Sequence, residues 1–510
     1  MNSQKVLSQM ADYSSDAVAP NSMDIRTEYL EPISQNPLKF TFRLDQAGYL
    51  DTNSLLVFKL AASTGGLSNN LRVNMFNGVL GGVKRAIFQV GDHVINDIQE
   101  LNKYASIKTI LNSNRSLGNQ YLGHYMGNQL WTKVVGPPAE TNVECVTANR
   151  QTYQNMSNSV RGTIVPDADK SGICQGAFAN GAGVAINSGQ IAQNPALNNQ
   201  YGITLGTLFP ALQGQKIPLF LFDKQRILIT VEFHPSSFWI NSIVGGNTNY
   251  GNAGQNLVAT DGDAILSDVR LVVDYIIMPT EVQNKVVEQT QKQGGYKLNF
   301  FDVVNVEKNI PAAANNQIQE VEHRIGQNNR EVHRIFMWKE PPITAFIHDG
   351  ANNDSGLHMR CRQYCMGYSQ EEYNVEVNGR DEFDHFVYNP CSQYNELSEC
   401  LGKDPNLDKV EYINDEMTTG SYLSTMENGL QGSMKPLAYS LRSGEPGVVG
   451  AGRQIGNYPI VWKYKRTGHN AVQTNSLRND HTIKVNYFIE CSRIASIMST
   501  PKGMNVLVSY

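Results

Sequence analysis

The sequence predicts an all-β protein made of two tandem antiparallel β-sandwiches, and three observations support this fold class. The chain has 510 residues, whereas a single hydrophobic core stops growing at roughly 250 to 300 residues. Apolar and polar residues alternate with a period of two in many segments, which is the pattern of half-buried strands. One block of strand, turn, short strand and helix occurs once in each half. We therefore expect two domains of similar architecture.

The period-two alternation recurs along the whole chain, and each alternating segment is interpreted as a strand. In residues 227–233, for example, Ile227 and Ile229 would face one side of a sheet while Leu228 and Thr230 face the other. The predicted strands are residues 38–44, 54–60, 227–233, 269–277, 300–306, 333–338, 483–490 and 504–510.

Helical periodicity is confined to three places. Asn96 with Gln99 resembles a capping box at the start of a helix. Asn389 followed by Pro390 predicts a second helix, because proline is favoured at the first helical position. Residues 280–293 form a largely polar third candidate, which we expect to connect the two domains. The apolar stripe of the first helix consists of Ile98, Leu101, Tyr104, Ile107 and Leu111.

The repeated block lies at residues 88–97 (FQVGDHVIND) and 375–384 (VEVNGRDEFD), each followed by a predicted helix. Asn378-Gly379 is a strong hairpin signal, since both residues tolerate positive φ. Late in each half, we expect residues 226–234 to correspond to 482–490. The following strand at 269–277 would correspond to 504–510. The repeat predicts duplication of one β domain.

Long stretches rich in Asn, Gln, Gly and Ser separate the strands, at residues 137–200, 241–263 and 403–473. Their composition predicts surface loops on a sandwich scaffold. The resulting division is an N-terminal arm at 1–31, a first β domain at 32–278, a partly helical connector at 279–295 and a second β domain at 296–510.

Charge and hydropathy exclude several function classes. The net charge is -5, and the N-terminal arm is acidic, so neither coating of nucleic acid nor direct sequence-specific nucleic-acid binding is expected. No apolar run reaches the roughly 20 residues that cross a bilayer, so no transmembrane segment is expected. The N-terminus lacks the apolar region of a secretory signal, and seven cysteines do not form a disulfide framework. We expect synthesis inside the cell, with reduced thiols.

The sequence predicts no catalytic, cofactor-binding or metal-binding residues. The best metal candidate combines His358, Cys361 and Cys365 with two later cysteines. Cys391 and Cys400 are nine residues apart on a predicted helix, so they face opposite ways and cannot share an ion. Only a weak site near Cys361 and Cys365 is left open, against the alternative of buried core thiols.

Other chemical motifs are incomplete. The glycines from Gly444 to Gly452 end in Arg453 and not in the Lys-Ser/Thr of a phosphate-binding loop. Asp261, Asp263 and Asp268 resemble a calcium loop, but Val272 stands where its closing glutamate belongs. No His-x-His pair of an enzymatic cupin occurs. Sequons at Asn114, Asn155 and Asn353 are interpreted as chance matches in an Asn-rich chain.

An eight-stranded antiparallel sandwich with long loops is most economically a jelly roll. Residues 38–60 (LKFTFRLDQAGYLDTNSLLVFKL), residues 77–97 (NGVLGGVKRAIFQVGDHVIND) and the following helix resemble the first jelly roll of double jelly-roll major capsid proteins. This family occurs in polinton-like viruses, virophages and large double-stranded DNA viruses. The resemblance extends from about residue 38 onward, but residues 137–200 match no part of the family.

The resemblance implies two tandem eight-stranded jelly rolls with short inserted helices, in a major capsid protein without enzymatic activity or cofactor. Homotrimers would form pseudo-hexagonal capsomers that tile an icosahedral virion shell, beside penton and minor or cement capsid proteins. Outward towers between the fourth and fifth and the sixth and seventh strands would lie within residues 112–200 and 403–473. The alternatives are a two-domain jelly-roll protein for glycan binding or host attachment, and a jelly-roll enzyme.

Overall fold

The computed structural model describes the parts of the chain that carry the predicted strands and helices. The described residues are 24–62, 71–73, 79–110, 200–209, 212, 216–222, 225–242, 264–312, 317–340, 365, 371–402, 436–441, 452–467, 482–500 and 503–509. The predicted loop 137–200 lies outside them up to residue 199, as do the sequons, residues 112–199 and 403–435 of the expected towers, and most of residues 241–263. Within the described residues, no helix is long and apolar enough to cross a membrane.

Most strands of the first half pair into two packed antiparallel sheets, and β6 pairs with β12 in a separate two-stranded sheet. Sheet A1 has the order β1-β13-β5-β9, with β4 and β10 extending it beside β13, and sheet B1 has the order β2-β3-β11-β7-β8. The strands are β1 (Asp24–Leu30), β2 (Ser34–Asn36), β3 (Lys39–Leu44), β4 (Tyr49–Leu50), β5 (Leu55–Ala62), β6 (Leu71–Val73), β7 (Val83–Val90), β8 (His93–Gln99), β9 (Gln200–Thr204), β10 (Ile217–Pro218), β11 (Ile227–Phe233), β12 (Ile240–Ser242) and β13 (Ala264–Ile277).

The second half repeats this arrangement. Sheet A2 has the order β14-β22-β16-β19, with β20 beside β16 and β23 beside β22, and sheet B2 has the order β15-β21-β17-β18. The strands are β14 (Tyr296–Ile310), β15 (Ile318–Gly326), β16 (Glu331–Lys339), β17 (Glu371–Val377), β18 (Arg380–Asp381), β19 (Leu437–Ser440), β20 (Arg453–Gln454), β21 (Ile460–Thr467), β22 (Ile483–Thr500) and β23 (Gly503–Ser509).

The connectivity of the two halves is the same. When the eight main strands of each half are numbered along the chain, sheets A1 and A2 both read 1-8-3-6 and sheets B1 and B2 both read 2-7-4-5. This order of interlocked antiparallel strands is a jelly roll. The predicted fold class, two tandem jelly-roll sandwiches, is therefore confirmed. Residues 24–30, which the sequence placed in an N-terminal arm, form the first strand of the first sandwich.

The described α-helices are α1 (Leu101–Ala105), α2 (Leu205–Leu208), α3 (Ser236–Trp239), α4 (Thr280–Lys292) and α5 (Pro390–Cys400). Of these, α1 and α5 lie at equivalent points of the two sandwiches, each after the fifth main strand. Helix α1 continues into a π-helical turn at Ser106–Ile110 and follows strand β8, while α5 follows β18. Helix α4 lies between the sandwiches in sequence and ends before two positive-φ residues, Gly294 and Gly295. The helical nature of residues 280–292 was predicted correctly.

The predicted start of the first helix was wrong. Asn96 is fully buried in strand β8, where it pairs with Phe88, because the hairpin extends seven residues past the turn. The chain turns at Glu100, which has a positive φ of 52°, and the helix begins at Leu101. The stripe members Leu101 and Tyr104 are buried as predicted.

The predicted correspondence of the last strands was also wrong. Strand β21 is the counterpart of β11, and β22 is the counterpart of β13, so β23 is an additional strand that extends sheet A2. The segment 460–467, expected to be part of a surface loop, does alternate, with Ile460, Trp462 and Tyr464 buried. The polar sequence on either side of this segment made the alternation hard to recognise. The strand positions expected for the first tower were wrong as well, because residues 111–199 follow the fifth main strand, β8, and precede the sixth, β9.

Candidate functional site: the joint between the two sandwiches

The main feature outside the two sandwich interiors is the joint where the first sandwich packs on the second. In strand β16, Ile335 and Met337 point into the core between sheets A2 and B2, while Phe336 and Trp338 belong to the cluster that contains α1. Side chains alternate across a strand, so sheet A2 is buried on both faces. The face away from B2 is called the outer face of A2 below.

Tyr104 of α1 is the centre of this contact. Its ring lies 6.5 Å from the ring of Phe336 and 5.8 Å from that of Phe488, centroid to centroid. All three side chains are at most 1% exposed. Burial of aromatic side chains of this size, in edge and tilted geometries, is a large favourable contribution to a packed interface. The joint is therefore packed like a protein interior.

A first buried ion cluster lies at Lys103, whose side chain is 1% exposed. Its ammonium contacts Glu340 of the second sandwich and lies 2.6 Å from Glu100 Oε2 of the first. Asn486 Nδ2 also donates to Glu340 Oε1 over 2.7 Å. The carboxylate of Glu340 is thus held by groups from both sandwiches, which satisfies the requirement that a buried charge be paired.

A second cluster surrounds Glu490, which is 1% exposed on strand β22. Lys108 Nζ lies 3.0 Å from its Oε1, Arg334 donates to Oε2 over 2.9 Å, and the Tyr104 hydroxyl donates over 2.7 Å. Burial alone would raise the pKa of Glu490. Lys108 and Arg334 outweigh it, with help from the Tyr104 hydroxyl, and lower that pKa to about 2. Glu490 is therefore ionised and binds the first sandwich through Lys108.

A third contact joins strand β8 to the second sandwich. Arg493 lies 3.0 Å from Asp302 Oδ2 and also donates to the Ile95 carbonyl over 3.4 Å, while Asn96 Nδ2 donates to Asp302 Oδ1 over 3.4 Å. Burial raises the pKa of Asp302, and Arg493 opposes this rise. Three separate polar contacts thus fix the orientation of one sandwich on the other.

The comparisons with solved structures concern this whole two-sandwich arrangement. PBCV-1 VP54, fitted into a cryo-EM reconstruction of the virophage Sputnik, is similar with a TM-score of 0.52 at 9% identity, over 98% of this chain and 99% of that chain. The Sputnik virophage structure is similar with a TM-score of 0.52 at 9% identity, over 97% of this chain and 90% of that chain. The Faustovirus major capsid protein is similar with a TM-score of 0.50 at 10% identity, over 94% of this chain and 92% of that chain.

The chain has the double jelly-roll fold. The overlap spans both sandwiches in each of these structures, so the fold predicted from the sequence resemblance is confirmed as a whole. At these identities the likeness establishes the fold and leaves function to be argued separately. No protein-family model and no curated protein sequence matches the chain.

The cysteines considered as metal ligands differ in exposure. Cys391 is exposed at the start of α5 and Cys400 is buried at its end, as the helical spacing predicted. Cys365 is buried and its sulfur accepts a hydrogen bond from the Lys339 amide over 3.4 Å. His358 and Cys361 lie outside the described residues. Among the described residues, no three His, Cys, Asp or Glu side chains are grouped as metal ligands.

The remaining sequence candidates have structural roles where they are described. Asp268 lies 2.8 Å from Lys59 and 2.9 Å from Arg270, and these contacts lower its pKa. His323 and His333 are buried and bonded to Tyr487 and Ser492, respectively. Asp261, Asp263 and the glycines from Gly444 to Gly450 lie outside the described residues.

Sequence reasoning missed the joint itself. Lys103 and Glu340 are 237 positions apart, and no local pattern connects them. A signal was present in strand β22, whose second face carries Asn486, Phe488 and Glu490. Alternation alone leaves open whether that face is buried, whereas in the structure all three side chains are at most 1% exposed.

Proposed function

We propose that this protein is the major capsid protein of a double-stranded DNA virus and that three copies form a pseudo-hexagonal capsomer of an icosahedral shell. The support is the double jelly-roll fold, shared over 98% of the chain with VP54 and over 94% with the Faustovirus major capsid protein. The fold presents two similar sandwiches in each chain. Three chains provide six sandwiches, which suits a tile with six sides.

The observation that carries this proposal is the buried joint. A tile transmits lattice forces only if its two sandwiches keep one fixed orientation. Lys103 and Glu490 are both 1% exposed and bind groups of the opposite sandwich. Buried ion pairs of this kind add little net stability but penalise any arrangement that separates the partners. The joint therefore makes one rigid building block from two domains.

The proposal extends to partners and location. The tile would contact neighbouring copies, a penton protein and minor or cement proteins in the virion capsid, after synthesis and assembly inside the host cell. It would act without catalysis. It would also act without direct sequence-specific nucleic-acid binding, which is consistent with the chain's negative net charge of -5. The domains would comprise a short arm, a first sandwich to residue 278, a connector at 279–295 and a second sandwich from 296.

The experiment is a mass measurement on the purified full chain by size-exclusion chromatography with light scattering at micromolar concentration. A capsomer subunit is expected to give three times the 56.6 kDa chain mass. A monomer under these conditions would contradict the proposal. Binding of glycans by that monomer would instead favour the host-attachment alternative.

A further inference from the structure

The joint within one chain is a head-to-tail contact. It uses the helix that follows the fifth strand of the first sandwich, α1, and the outer face of the 1-8-3-6 sheet of the second sandwich, A2. The complementary surfaces are the helix that follows the fifth strand of the second sandwich, α5, and the outer face of A1. These two surfaces lie on the same fold elements as the joint, in the opposite sandwiches.

The outer face of A1 carries an apolar row in register. Tyr29 of β1 pairs with Val272 of β13, which pairs with Leu55 of β5. Directly paired residues point to one face, and their neighbours Leu56 and Leu271 are fully buried in the sandwich interior. Tyr29 is 68% exposed. The corresponding strands of A2 carry Phe488 and Phe336, both fully buried beneath Tyr104.

The carboxylates on the outer face of A1 have partners within the same sandwich. Asp268 lies between Lys59 and Arg270, and Asp274 Oδ1 accepts a hydrogen bond from the Thr27 hydroxyl over 2.6 Å. A partner that covers this face therefore need not supply a counter-charge for Asp268, which lowers the cost of burying that group. Exposed Ile25, on the same face as Tyr29, extends the apolar surface.

The α5 side of the second sandwich offers a matching surface. A pocket of about 540 Å³ lies where the chain enters α5, and its walls include Phe386, Tyr388, Cys391 and Glu396. Tyr388 is 68% exposed and Cys391 is exposed. An open pocket with aromatic walls next to the helix can receive a protruding side chain such as Tyr29, as in the anchor-in-pocket contacts of stable interfaces.

We propose that the outer face of A1 in one copy packs against the α5 segment, residues 383–396, of a second copy. This contact repeats between chains the contact that α1 makes with A2 within a chain. A heterologous contact of this kind closes into a ring if the rotation between successive copies permits it. In a ring of three copies, first and second sandwiches would then alternate. The inference rests on the proposed function and identifies the faces that form the trimer.

The test compares Tyr29→Glu with Tyr458→Glu, since Tyr458 is 66% exposed and belongs to neither of the two proposed surfaces. Wild type and Tyr458→Glu are expected to have the mass of three chains, while Tyr29→Glu falls to one chain mass with unchanged far-ultraviolet circular dichroism. If both wild type and Tyr29→Glu form trimers, the assignment of this face is overturned but the capsomer proposal is not. Monomeric wild type would overturn both.

A cross-linking measurement covers the case in which Tyr29→Glu does not fold. Tyr29→Cys introduces a thiol opposite native Cys391, so a short bis-maleimide is expected to link chains into bands of two and three chain masses. The matched control, Tyr29→Cys with Cys391→Ser, is expected to lose these bands at least tenfold. Equal cross-linking with and without Cys391 would overturn the proposal.

Discussion

The outer faces of sheets A1 and A2 have the same strand order but opposite environments. On A2, Phe336 and Phe488 are fully buried beneath α1. On A1, Tyr29 is 68% exposed, and Val272 and Leu55 are only half-buried. Identical topology thus gives one sheet that is buried on both faces and one that is buried on its inner face only. Whether an outer face is buried therefore depends on the element that covers it and not on the jelly roll itself.

The charged groups differ in the same way. Glu490 on A2 depends on Lys108, which comes from the other sandwich, over 3.0 Å. Asp268 on A1 finds both of its cations, Lys59 and Arg270, within its own sandwich. Pairing of the buried Glu490 carboxylate therefore requires the first sandwich in place. Pairing of Asp268, which lies near solvent, does not require the other sandwich.

The largest expected effect comes from Glu490→Ala, which leaves Lys108 and Arg334 buried without their carboxylate. Removing one partner of a buried ion cluster costs about 3 to 5 kcal/mol. Urea unfolding followed by tryptophan fluorescence measures the loss. The control is Glu307→Gln, which removes an exposed partner of Lys484 and should cost less than about 1 kcal/mol. Equal losses for both variants would refute the buried joint.

Truncation of the two apolar rows is expected to give unequal losses. Phe336→Ala opens a cavity beneath Tyr104 and should cost about 3 to 5 kcal/mol of unfolding free energy. Leu55→Ala, on the half-buried row of A1, should cost at most about 2 kcal/mol when both are measured in the Tyr29→Glu background. Similar costs would show that the two faces are equally covered within one chain.

Acid titration tests the ionised state of Glu490. Its pKa in the folded protein is about 2, against an ordinary value of 4.5. A depressed carboxyl pKa stabilises the fold above pH 4.5, and the contribution is lost as the pH falls toward 2. The difference in unfolding free energy between wild type and Glu490→Gln should therefore be constant from pH 7 to 5 and shrink below 4.5. A difference independent of pH would contradict an ionised Glu490.

The smallest expected effect concerns helix α5, which packs beside Phe336 through Leu397 and Cys400. Asn389 caps this helix, accepting a hydrogen bond from the Cys391 amide over 2.9 Å. Asn389→Ala should lower the melting temperature by the equivalent of about 1 kcal/mol. Asn389→Asp retains a capping oxygen and should keep most of the stability. A matching loss in both variants would show that the cap is not the cause.

Much of the architecture was predictable from local patterns. Asn389-Pro390 marked the start of α5, and period-two alternation located strands such as 227–233 and 483–490. The start of α1 was not predictable, because Ile98 continues the apolar stripe of the helix although it lies in strand β8. Pairing of β8 with β7, which depends on the hairpin, overrides the helical pattern there.

The joint was not predictable from the sequence for a different reason. Glu490 and Tyr104 are 386 positions apart, so their contact arises only from the packing of complete domains. Alternation in β22 separated the two faces correctly, with Phe488 and Glu490 opposite Tyr487. It could not show that the second face would also be buried, because a neighbouring domain covers it.

Electron cryo-microscopy of the purified full-length protein at micromolar concentration tests the capsomer proposal most directly. Class averages are expected to show threefold particles with six lobes and a hexagonal outline, in which first and second sandwiches alternate. Separate two-lobed particles, each containing one chain, would contradict the account.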